Sequence, residues 1–77
     1  MTTQVLLKPK HFEIGDLVTN TIGDKWTILI LSIGSVSYSN GTFLETFKAL
    51  DIKQKRISIW IFYEDQEYLV IKGNKVP

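Results

Sequence analysis

Short apolar runs rich in β-branched residues, each bounded by turn-forming residues, recur along this chain and restrict it to a small β-rich fold. The two strongest are Lys25–Ile33 (KWTILILSI) and Ile57–Tyr63 (ISIWIFY). Between them stands Asn40-Gly41, a strong hairpin signal, because a two-residue type I′ turn needs positive φ at both central positions.

A strand repeats every two residues, so Trp26, Ile28 and Ile30 point one way and Thr27, Leu29, Leu31 and Ile33 the other. Both sides are apolar. The strand is therefore expected at the centre of a sheet covered on both faces, or curled into a barrel. Gly34 interrupts its pattern. Upstream, Phe12–Thr19 reads as a strand bent near Gly15-Asp16, followed by a polar loop turning at Gly23-Asp24. Residues 1–11 form an arm in which Pro9 stops regular pairing and Val5–Leu7 can add an edge strand. Lys53-Gln54-Lys55-Arg56 is a charged connector. Glu64–Glu67 turns the chain, Tyr68–Lys72 is the last strand and residues 73–77 are a tail. The domain thus spans residues 12–72.

Residues 42–50 admit two readings. A two-residue turn at Asn40-Gly41 pairs Ser39 with Thr42 and sets Tyr38 opposite Phe43, an aromatic cross-strand pair. Against this, Thr42-Phe43-Leu44-Glu45 has the form of a capping box, and Phe43, Phe47 and Leu50 recur at helical spacing. An intermediate form keeps strand to Phe47 and one helical turn at Lys48–Asp51.

Length and composition narrow the function classes. Seventy-seven residues make one domain with a thin core, and 44% hydrophobic content compensates only in part, so self-association would help the fold. With no cysteine, disulfides, thiolate metal sites and cysteine nucleophiles are excluded. The N-terminal residues lack the basic and apolar regions of a signal peptide, and no stretch nears the ~20 apolar residues of a membrane span. A cytoplasmic location is the expectation. The net charge of +1 is not the footprint of a dedicated nucleic-acid binder. Its distribution is uneven: Lys48, Lys53, Lys55 and Arg56 cluster, and Glu64, Asp65 and Glu67 form an acidic run.

From Phe12 to Ile52 the chain resembles a known family. It opens on an aromatic residue and Gly-Asp-x-Val, here Phe12-Glu13-Ile14-Gly15-Asp16-Leu17-Val18. A glycine and an apolar-Thr-Ile step follow, here Gly23-Asp24-Lys25-Trp26-Thr27-Ile28. An Asn-Gly turn, Asn40-Gly41, then leads to Phe47 and Ala49-Leu50. This order is similar to that of the YodC-like small SH3-like barrels of bacteria. Lys48 stands where that family commonly has proline, the Val36–Ser39 strand is weaker, and residues 53–77 have no counterpart. The resemblance implies a fold and a binding role, and brings no catalytic residues.

The residues themselves hold little catalytic chemistry. His11 lacks the convergent partners that a metal or a proton relay needs. Glu64, Asp65 and Glu67 sit at a polar hairpin tip, without the contrast in solvation that separates a general acid from a base. There is no Gly-rich phosphate loop. Asn40-Gly41-Thr42 fits the glycosylation sequon, but reads as a turn. Enzyme activity and a cofactor are not expected.

The expected architecture is all-β: five or six antiparallel strands closed into a small SH3-like barrel, with the helical turn at Lys48–Asp51 left open. The leading functional expectation is a non-catalytic module that contacts another protein or a second copy of itself through Tyr38, Trp60, Phe62 and Tyr68. Periodicity puts Ile57, Ile59, Ile61 and Tyr63 on one face and Ser58, Trp60 and Phe62 on the other, without saying which is core. A second expectation is a nucleic-acid-binding barrel, with Lys48, Lys53, Lys55 and Arg56 on phosphates and aromatic rings stacking bases. A third is a structural subunit of a larger assembly, such as a phage or secretion particle.

Overall fold

The computed structural model describes residues 4–20 and 26–72. Among them are six strands, β1 (Gln4–Leu7), β2 (Leu17–Thr19), β3 (Thr27–Ser37), β4 (Phe43–Asp51), β5 (Arg56–Trp60) and β6 (Tyr68–Ile71). The expected arm supplies β1, and a 3-10 turn over Pro9–His11 buries the proline. All pairings are antiparallel, in the order β1-β6-β2-β3-β4-β5. The edge strands β1 and β5 do not pair with each other, so the sheet is not closed. No described helix is long and apolar enough to cross a membrane.

One side of the sheet carries the core. Val18, Ile28 and Val70 are neighbours across β2, β3 and β6, and all have zero exposure. Around them gather six aromatic rings: Phe12, Trp26, Phe47, Trp60, Phe62 and Tyr68. Phe12 meets Phe47 and Phe62 edge-to-face, with centroids 5.5 and 5.3 Å apart. Phe62 meets Tyr68 at 5.0 Å, and Trp26 meets Trp60 at 4.9 Å. Such pairs add ~0.5–1.5 kcal/mol each beyond the area they bury, which matters in a domain with so few core residues.

Strand limits differ from the sequence reading where the chain turns inward. Phe12 is core but lies outside β2, because residues 13–16 form a tight turn. In it Asp16 N–H donates to Glu13 C=O at 3.1 Å and Gly15 takes φ 95°. Gly34 does not end β3, which runs eleven residues to Ser37. The bend lies earlier: Ile30 pairs with Ala49 and Ser32 with Lys48, so Leu31 is an extra, bulged residue. A bulge shifts side-chain alternation by one position. It therefore brings Ile33 opposite Phe47, on the side of Ile30 rather than of Leu29. The expected loop turn at Gly23-Asp24 and the tail 73–77 lie outside the described residues.

Residues 43–51 are strand, so the helical alternative, including a turn at Lys48–Asp51, does not stand. Burial alternates strictly through Phe47, Lys48 and Ala49, the period of a strand packed on one face. The capping-box residue Thr42 serves the hairpin instead. Its N–H and hydroxyl both donate to Asn40 Oδ1, at 3.0 and 2.6 Å. The hairpin loop is one residue longer than a two-residue type I′ turn. Gly41 N–H donates to Tyr38 C=O at 3.1 Å, Gly41 takes φ 88°, and Tyr38 N–H donates to Thr42 C=O at 2.8 Å. This is a three-residue loop with a glycine bulge. Phe43 consequently pairs with Ser37 instead of Tyr38.

Candidate functional site

β5 decides where an interaction surface can lie. Its register with β4 sets Trp60 opposite Phe47 and Ser58 opposite Ala49, so Trp60 and Ser58 share the core side. Ile57 and Ile59 take the opposite side, across from Leu50 and Lys48. Ile57, Ile59 and Ile61 are 58%, 60% and 57% exposed. Beyond Trp60 the strand ends because Phe62 dives into the aromatic cluster, and Tyr63 N–H fastens the segment by donating to the Tyr68 hydroxyl at 3.3 Å.

The aromatic contact set expected from sequence is therefore divided. Phe62 and Tyr68 are buried core residues, and Trp60 is half-buried against Trp26. These three rings build the interior instead of an exposed recognition surface. Tyr38 is exposed at the base of the β3–β4 loop. Lys53 and Lys55 lie in the exposed β4–β5 turn, with Arg56 opening β5 and Lys48 exposed on the outer side of β4. His11 is exposed in the 3-10 turn.

The outer side of the sheet holds a feature that strand-by-strand reading missed. The register aligns Ile57, Leu50, Leu29, Leu17 and Ile71 in one unbroken apolar row across β5, β4, β3, β2 and β6. Four of the five are half-buried, and Ile57, at the edge, is exposed. The row is visible only once pairing partners are known. Of its members, only Leu29 and Ile57 stood out in the sequence, as residues of strands apolar on both sides. At its β5 end the row meets a free hydrogen-bonding edge, since β5 pairs with β4 alone among the described strands. The stretch Ile57–Trp60 carries no proline, charge or bulge, the usual devices that blunt an edge strand.

Charge is graded along this edge. Lys53, Lys55 and Arg56 stand at its start, and Glu64 and Asp65 lie past its end, all exposed. Glu64 lies near Thr42 and Leu44, lining a shallow groove with them, which places it at the opposite end of β4 from the basic turn. A second groove of about 250 Å³ lies between Lys8, Lys10, Glu45 and Asp65, over a floor of Phe47 and Phe62. Its charges are mixed, and among the described residues no cluster of metal-ligating side chains is present.

Sequence reading also missed the role of Asp16. This fully buried carboxylate accepts the Glu13 N–H at 2.9 Å and the Lys72 ammonium at 2.8 Å. Lys72 reaches Glu13 Oε1 as well, at 2.9 Å. The Gly-Asp pair thus builds the turn before β2 and ties it to the end of β6. Comparison with protein-family models, with curated proteins and with solved structures finds no match.

Proposed function

We infer that this protein is a non-catalytic interaction module whose contact surface is the β5 edge and the isoleucine side beside it. The observation that carries this reading is the exposure of Ile57 and Ile59 on a strand with an open edge, and of Ile61 just past its end, each more than half accessible. Full burial of an isoleucine is worth ~1.5–3 kcal/mol, so a partner covering this surface gains substantially. An open strand edge offers that partner main-chain hydrogen bonds as well. The SH3-like, YodC-like reading of the fold belongs to the same proposal. Its support is the long, bulged β3, which bends the sheet around one aromatic core, and the turn made by Gly15 and Asp16. A cytoplasmic location also belongs to it.

Nucleic-acid binding is the weaker reading. The basic turn at Lys53, Lys55 and Arg56 is exposed, but the rings proposed to stack bases beside it are turned inward. The test is a photo-cross-linking amino acid placed at Ile59 in the native host, with Ile14 as control, an exposed residue away from β5. Adducts that form at Ile59 and not at Ile14 are expected. Equal labelling at both positions would remove the basis for the reading.

A further inference from the structure

We propose that the occupant of the β5 edge is a second copy of the same chain, joined β5 to β5 in antiparallel pairing about a two-fold axis. The inference rests on the interaction reading above and names its partner.

Three features make this edge complementary to itself. The first is geometric. In an antiparallel pair, opposed residues lie on the same side of the sheet. When β5 meets its own copy with an Ile59-like position opposite an Ile57-like position, isoleucine faces isoleucine and Ser58 faces Ser58. The outer-side row Leu17–Leu29–Leu50, which ends at the exposed Ile57, then abuts the copy's Ile59, whose neighbour across β4 is Lys48.

The second is electrostatic. The edge begins with Lys53, Lys55 and Arg56 and is followed by Glu64 and Asp65. A two-fold axis reverses the strand, so the basic end of each copy lies against the acidic end of the other. Parallel pairing would set like charges together at both ends, which is unfavourable. Charge grading along a single strand therefore selects the antiparallel, isologous arrangement.

The third is the edge itself. Between the two charge clusters Ile57, Ser58 and Ile59 are exposed and β5 has no second partner among the described strands, and a small domain with a thin core gains stability from association. The interface is short, below the ~1,200 Å² typical of tight complexes, so the dimer is expected to exchange with monomer at about micromolar concentrations and above.

The test uses the purified full chain in analytical ultracentrifugation from about 1 μM to 1 mM at low salt. A concentration-dependent rise toward twice the monomer mass is expected. Ile59→Lys, an exposed substitution whose folding is checked by circular dichroism, should weaken association at least tenfold. The discriminating experiment exchanges charge. A variant with Lys53→Glu and Lys55→Glu, and another with Glu64→Lys and Asp65→Lys, should each fail to self-associate. Mixed in equal amounts they should form a heterodimer, because both contacts are again complementary. A chain that stays monomeric throughout the range overturns the proposal, as does a mixture that fails to associate when the parent does. If the purified chain is monomeric yet Ile59 still cross-links to another polypeptide in the host, self-pairing is wrong and the interaction reading survives. If Ile59 cross-links to nothing beyond the Ile14 control and the chain is monomeric, both fail.

Discussion

Lys72, at the end of the last strand, donates a 2.8 Å hydrogen bond to the carboxylate of Asp16, which is fully buried and 56 residues away in sequence. The pair closes the sheet's centre by tying the turn before β2 to the strand beside it. Removing the carboxylate takes an acceptor from the Glu13 N–H and leaves the part-exposed Lys72 ammonium paired with Glu13, a loss of about 1–3 kcal/mol. Asp16→Ala should therefore lower unfolding free energy by about 1–3 kcal/mol, read as a drop in urea midpoint. Asp16→Asn, which keeps an acceptor for the Glu13 N–H, should lose less. Equal midpoints for the two would place the stabilisation elsewhere.

The same contact sets a pH dependence. Burial disfavours the Lys72 ammonium, but hydrogen bonds to Asp16 and Glu13, and the charges of both, outweigh it and hold its pKa above the ordinary lysine value. A pKa raised on folding gives stabilisation that is fully present below the unfolded value of about 10.4 and is lost as pH rises through the folded value. Neutral and mildly alkaline solution should thus leave this contribution intact. Above that range the parent should lose stability faster than Lys72→Met, so the gap between them narrows. Denaturant melts at stepped alkaline pH measure it, and a constant gap would count against the assignment.

Phe62 and Ile59 make a paired prediction about which side of the β5 segment is interior. Phe62→Ala removes a ring packed against Phe12, Phe47 and Tyr68 and should cost about 3–5 kcal/mol. Ile59→Ala trims an exposed side chain and should change monomer stability by no more than ~0.5 kcal/mol. Thermal or urea unfolding at low protein concentration gives both, and the reverse ranking would invert the sheet.

At the β3–β4 hairpin, Gly41 takes φ 88° and a Cβ there would meet nothing within 4 Å. The loss on Gly41→Ala is therefore backbone strain alone, about 1–2 kcal/mol. The three-residue loop also predicts cross-strand nuclear Overhauser contacts between Ser37 and Phe43. A Tyr38–Phe43 register would give a different set and restore the shorter turn.

Lys55 occupies the same left-handed region, with φ 58°, and closes the β4–β5 turn through its N–H to Asp51 C=O at 2.7 Å. Glycine adopts that conformation freely but is more mobile when unfolded. Lys55→Gly should hold or raise the melting temperature, by up to about 1 kcal/mol in stability. Lys55→Val, β-branched at positive φ, should lower it.

Local chemistry determined the class of this fold. Alternating β-branched runs can bury a face only as strands, and the turn residues between them mark where the chain reverses. That logic located β3, β5 and β6 and the edge strand in the N-terminal arm, left residues 42–50 open between strand and helix, and exposed the ambiguity of Ile57–Tyr63. It also named the basic and acidic clusters that flank β5. What it could not settle was every question whose answer depends on a partner strand. Ile57–Tyr63 is apolar on both sides, so its inward face was chosen by the rings it meets: Phe62 fits among Tyr68, on the next strand, and Phe12 and Phe47, which come from distant parts of the chain. Register followed from pairing as well. One bulged residue at Leu31 and one extra loop residue before Thr42 moved Ile33 and Phe43 to new partners, because alternation has a period of two and a single insertion reverses it. The Asp16–Lys72 contact and the apolar row from Ile71 to Ile57 join residues far apart in sequence, so only the tertiary structure brings them together.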